Sequence, residues 1–129
     1  MFHDIFLDDT YDVANEEKLS SGQISIFIVG AGGFKGKRSS TFAIPTVDPP
    51  ARKPDATVMQ RTNVDQAALY RLSGDLNPLH IDPNVALMGG FERPILHGLC
   101  SLGFSARHVL QTYAAGDSRL FKSIKVRLS

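Results

Sequence analysis

The 129 residues carry 14 Lys and Arg against 13 Asp and Glu, for a formal net charge of +1, with 43% hydrophobic and 21% charged residues. That balance argues against nonspecific nucleic-acid attraction as the main activity, and the length allows a single domain with a modest core. No apolar run approaches the roughly 20 residues of a membrane span, and the one cysteine, Cys100, excludes an intrachain disulfide framework and suits a reducing compartment.

Residues 1 to 22 are acidic, hold a weakly apolar piece from Ile5 to Leu7, and are assigned no function. Their opening, MFHDIFLDD, does not have the form of a secretory or mitochondrial signal. QISIFIVG, from Gln23 to Gly30, is rich in β-branched and aromatic residues and predicts a buried strand. The following GAGGFKGKRSS invites a nucleotide-loop reading, but both phosphate motifs fail on spacing. The third glycine of a dinucleotide fingerprint would be Lys35, and a phosphate loop ending at Gly36 and Lys37 would open on Ala31 and close on Arg38. Pro45, Pro49 and Pro50 also remove the helix whose N-terminus would hold the phosphate. Lys35, Lys37 and Arg38 are read as a solvated link, with phosphate contact as the weaker alternative.

After the proline-rich connector, Ala56 to Met59 predicts a short strand. Asn63, Asp65 and Gln66 open a helix whose apolar face is Ala67, Ala68, Leu69 and Leu72. That helix ends at Gly74. Asp82 followed by Pro83 predicts an N-cap with proline at the first helical position, and the helix carrying Val85 to Met88 stops at Gly89 and Gly90. From Gly98 to Ala114 apolar or small residues recur almost all round the first turns, which predicts a buried helix roughly 26 Å long, ended by Gly116. Ile124, Val126 and Leu128 then alternate with Lys125 and Arg127, the pattern of a strand with one wet face.

Chemistry concentrates in SGDLNPLHIDP, Ser73 to Pro83. Gly74 and Pro78 forbid regular helix or strand there, so Asp75, Asn77 and His80 ride on a stiff loop. Five residues of ideal helix would rotate Asp75 roughly 500° away from His80, whereas a punctuated loop can aim both at one point as an acid/base pair. Asp75 and Asn77 have a plainer use as turn formers, with His80 packing nearby. Gly98 opens the long helix, where free N–H groups favour developing negative charge, and its plainer use is close packing. His97 is read as a structural hydrogen-bonding residue, and His3 and His108 as surface or packing residues. The histidines and Cys100 lack zinc spacing, and the DPN run at Asp82 is a helix cap, not a calcium loop, so no metal site is expected.

YRLSGDLNPLHIDP from Tyr70, followed by GFERPILHGLCSLGFSARHVL from Gly90, resembles the hydratase 2 signature of the MaoC-like dehydratases. The resemblance runs from about Gln23 to Leu128 and keeps Asp75, Asn77 and His80. It implies an α+β hot-dog fold, an antiparallel sheet wrapped around a long central helix, with residues 1–38 ending a preceding half plus a glycine-rich linker and residues 39–129 forming a truncated catalytic half. It further implies addition of water to trans-2-enoyl-CoA to give (3R)-hydroxyacyl-CoA in fatty-acid β-oxidation. Asp75 and His80 would share the proton transfers, Asn77 would position the water, and Gly98 would hold the thioester oxygen. Coenzyme A would enter as part of the substrate, with no cofactor required. The resemblance also implies a peroxisomal location, although Arg127, Leu128 and Ser129 are not the SKL address. Few strands are visible to cover the helix, so a homodimer or association with a longer relative is expected. The competing function is a catalytically incomplete fragment, or a regulatory or interaction subunit, that keeps the loop without a complete pocket.

Overall fold

The computed structural model describes residues 2–27, 33, 35, 45 and 47–127. The chain divides into two units, Met1–Ala51 and Arg52–Ser129.

The first unit holds an antiparallel hairpin of β1 (Phe2–Tyr11) and β2 (Lys18–Phe27). Register runs from Phe2 opposite Phe27 to Tyr11 opposite Lys18, with irregularities between Asp4 and Phe6 and between Thr10 and Tyr11. Asp12 and Asn15 build the turn: their side chains accept the N–H groups of Ala14 and Glu17 at 2.8 and 3.0 Å, and Glu16 takes a positive φ of 57°. Across the hairpin Lys18 sits 2.8 Å from Asp9, which holds the Asp9 carboxyl below and the Lys18 ammonium above their ordinary ranges. The hairpin corrects two expectations. The expected strand begins at Lys18 instead of Gln23, and its Ile24 is 54% exposed instead of buried. Ile28 to Gly30, Lys37 and Arg38 lie outside the described residues.

The second unit is helical. α1 spans Gln66–Arg71, α2 spans Pro83–Met88 and α3 spans Gly98–Tyr113, with 3₁₀ turns at Pro78–His80 and Ser118–Leu120. Asp82 caps α2 as its sequence requires, its carboxylate accepting the N–H groups of Asn84 and Val85 at 2.8 and 3.4 Å. Space is tight at Gly89, the end of α2, where a Cβ would stand 3.2 Å from Leu79 Cδ1 and 3.3 Å from the Ala86 carbonyl oxygen. α3 ends one residue before expected, with Ala114 as its cap and Gly116 at a φ of 81°.

Neither strand expected in this unit forms. Residues 56–59 and 121–127 carry no ladder, and Val58, Ile124 and Val126 are exposed. Alternation gives a strand its face but does not specify the segment with which it would pair. Burial of α3 is likewise less than its composition suggests. Among the described residues only Ala86, His97 and Cys100 are fully buried, while Leu99, Val109 and Tyr113 on α3 are exposed. Cys100 packs where Gln66 Nε2 approaches its sulfur at 3.9 Å, which ties α1 to the start of α3.

Candidate active site

A relay of short-range caps builds the loop between α1 and α2. The N–H of Gly74, at a φ of 108° open only to glycine, donates to the Arg71 carbonyl at 3.0 Å and closes α1. Asp75 Oδ1 accepts the Asn77 N–H at 3.2 Å, and Asn77 Oδ1 accepts the Leu79 N–H at 3.1 Å to cap the 3₁₀ turn. Asn77 itself is held at φ −55° and ψ 119°, the extended geometry that a following proline imposes. The turn-forming use of Asp75 and Asn77 is therefore real, and it leaves Asp75 Oδ2 free for something else. That oxygen faces the ring of His97.

His80 closes the same 3₁₀ turn. Its Nδ1 lies 2.8 Å from the carbonyl oxygen of Ile95. A carbonyl only accepts, so Nδ1 carries the hydrogen and Nε2 is left to take or to give a proton. The His97 ring stacks on His80 with centroids 3.8 Å apart and planes 27° apart, and Tyr70 of α1 lies against His97 at 4.7 Å. One polar atom each from Asp75, His80 and His97 falls within 4.8 Å of the other two. The loop thus aims Asp75 and His80 at one point.

His97 differs from its expectation. It is 1% exposed, neither ring nitrogen has a hydrogen-bond partner among the described residues, and its Nε2 is 3.9 Å from Asp75 Oδ2, too far for a hydrogen bond. It contributes ring contact, not the hydrogen bonding expected of it. Its backbone caps α3: the carbonyl accepts the N–H groups of Cys100 and Ser101 at 3.1 and 3.3 Å. Gly98 is the next residue and the first of α3, where helix geometry provides no intrahelical partner for its N–H. The oxyanion candidate therefore adjoins the acid/base cluster through the chain itself.

Tyr70 and the Ile95 carbonyl were missed as site components. Tyr70 has no local polar signal, and Ile95 acts through its backbone, which its side-chain identity cannot reveal. His108 does have a polar partner, with Nε2 2.9 Å from Gln60 Oε1, which Arg107 also contacts. The side chain of His3 lies outside the described residues.

Two imidazoles and a carboxylate are also a metal-ligand set, contrary to the reading of scattered histidines. Their geometry does not suit one ion. Stacked rings 27° apart direct their in-plane lone pairs side by side, whereas a shared zinc needs both to converge at about 2.0–2.1 Å.

The MaoC like domain pattern matches residues 45–129, which contain the whole cluster. The chain belongs to the MaoC-like family. It is 55% identical over 121 residues to the peroxisomal multifunctional enzyme type 2 of Mus musculus, covering 94% of this chain and 16% of that protein. Over 106 residues it is 51% identical to the probable enoyl-CoA hydratase 2 of Dictyostelium discoideum, covering 81% of this chain and 36% of that one. Among solved structures it matches full-length peroxisomal multifunctional enzyme type 2 of Drosophila melanogaster with a TM-score of 0.78 and 42% identity, over 94% of this chain and 24% of that chain. The MaoC-like dehydratase of Phytophthora capsici matches with a TM-score of 0.76 and 39% identity, over 88% of this chain and 37% of that chain. The chain accordingly has the α+β hot-dog class. It spans well under half the length of each of these relatives.

Proposed function

We propose that this MaoC-like chain is an enoyl-CoA hydratase of the (3R)-specific kind, acting in fatty-acid β-oxidation. The observation that carries the reading is the convergence of Asp75 and His80, whose polar atoms lie within 4.8 Å on a loop stiffened by its own caps. The names of the relatives support the reaction class, since one is called a probable enoyl-CoA hydratase 2.

Hydration needs a base near water, an acid near the α-carbon and a donor at the thioester oxygen. One member of the Asp75/His80 pair takes a proton from water as its oxygen bonds to the β-carbon. The π electrons move to the α-carbon and onto the thioester oxygen, where the Gly98 N–H at the positive end of α3 receives the charge. The other member gives a proton to the α-carbon, and proton exchange between the two resets the site. Asn77 positions the water. The thioester already acidifies the α-carbon, so protons and an oxyanion donor suffice and coenzyme A is substrate, not cofactor.

Relatives are named peroxisomal, which supports the same compartment for this chain. Exposed apolar residues on α3, including Val109 and Tyr113, support an interaction reading beside the enzymatic one: a homodimer, or pairing with a longer relative. Purified chain mixed with crotonyl-CoA tests the proposal. Hydration that disappears in Asp75→Asn supports it, and a folded chain without turnover favours the interaction subunit.

A further inference from the structure

We infer that His97 is a positioning residue that joins the proton-transfer pair to the oxyanion end of α3, an inference that rests on the hydratase reading and extends it. A histidine buried to 1% exposure with both ring nitrogens unpartnered among the described residues is a costly packing element, because an apolar ring would fill the space without unpaired polar atoms. Its contacts supply the reason. One is the His80 ring, stacked at 3.8 Å. Together with the Ile95 carbonyl on Nδ1, this stack restricts how the His80 imidazole can turn about its side-chain bonds.

The second contact is Asp75. Its Oδ1 is committed to the Asn77 N–H, while Oδ2, on a side chain 42% exposed, lies 3.9 Å from His97 Nε2. A movement of about 1 Å makes that approach a hydrogen bond, and hydrogen bonds of this kind tighten when a site closes on its substrate. An Nε2–H donated there would fix which lone pair Asp75 turns towards the reacting atoms. The third link is the backbone. The His97 carbonyl accepts the Cys100 and Ser101 N–H groups at 3.1 and 3.3 Å, and the ring that aligns Asp75 and His80 is one residue from the Gly98 donor. Base, acid and oxyanion site are held in register by one residue, and a misplacement of about 1 Å among such groups can cost about 10²-fold in rate.

Two variants separate the contacts. His97→Phe keeps a ring under His80 and removes Nε2; His97→Ala removes both. With crotonyl-CoA, His97→Phe is expected to lower kcat about tenfold with KM nearly unchanged, and His97→Ala about 10²-fold, partly restored by added imidazole. Nitrogen NMR of His80 provides a readout independent of turnover: the Nδ1–H tautomer should persist in His97→Phe and give way to mixed tautomers in His97→Ala. Folded His97→Phe with kcat equal to the parent, or His80 signals unchanged in His97→Ala, would overturn the inference. If His97→Ala does not fold, His97→Phe decides by kcat alone. A parent chain that does not hydrate crotonyl-CoA would count against the hydratase reading, and the His80 signals would still decide whether His97 positions that ring.

Discussion

Asp75→Asn is the substitution whose consequence can be worked out most fully. Asparagine retains a carbonyl oxygen for the Asn77 N–H, so the 3.2 Å bond that shapes the loop survives and the fold should be intact. The change falls on Oδ2, the atom facing His97 at 3.9 Å, which becomes an amide nitrogen unable to take or give a proton at neutral pH. Loss of a positioned acid or base is worth about 10²–10⁴ in rate, which raises the barrier by about 2.7–5.5 kcal/mol. His80→Gln should fall in the same range, with little change in KM because neither group is needed to bind the thioester. The double variant should be scarcely slower than the worse single one, since one proton-transfer unit cannot be broken twice. The assay follows loss of the enoyl thioester's ultraviolet absorbance with crotonyl-CoA, and circular dichroism checks that the variants remain helical. Asp75→Asn within about threefold of the parent, or double-variant losses that multiply, would refute the idea of a coupled pair.

Asn77→Ala loses the cap on the Leu79 N–H but no proton-transfer group, so its turnover should fall less than that of Asp75→Asn in the same assay. Asp82→Ala removes both carboxylate bonds at the start of α2 and should destabilise the chain by about 0.5–2 kcal/mol, read as a lower urea midpoint, with Asp82→Asn recovering most of it. An open groove of about 420 Å³ beside the C-terminal half of α3, lined by Val109, Tyr113, Phe121 and Ile124 among others, leaves apolar surface exposed. Light scattering at micromolar concentration should therefore find species heavier than the 14.1 kDa monomer, and a compact monomer with a cooperative melt would contradict this.

What could be read from the sequence was local. Asp82 with Pro83, Gly74 and the bounds of α3 depend on neighbours within a turn or two, and each stands where its residue type requires. The hairpin was hidden because residues 2–11 show no clean alternation and the turn from Asp12 to Glu17 uses side-chain oxygens and a left-handed Glu16 in place of a glycine. Conversely, Ile124 to Leu128 has the strand pattern and the described part of it has no ladder, because pairing depends on a second segment that its own alternation does not specify. At the site, the Asp75, Asn77 and His80 loop was legible from its punctuation. The part played by His97 was not. Its contact with His80 joins two turns far apart in the chain, and the Ile95 carbonyl that orients His80 belongs to a backbone that any residue would offer.

The most direct measurement is the product made from crotonyl-CoA by the purified 129-residue chain, run beside a longer hydratase relative as control and resolved by chiral chromatography. A MaoC-like site built on Asp75, His80 and Gly98 should yield (3R)-3-hydroxybutyryl-CoA, and Asp75→Asn should lower its yield at least about 10²-fold. A folded chain that leaves crotonyl-CoA untouched while the control turns over, or one that gives the (3S) product, would contradict the account.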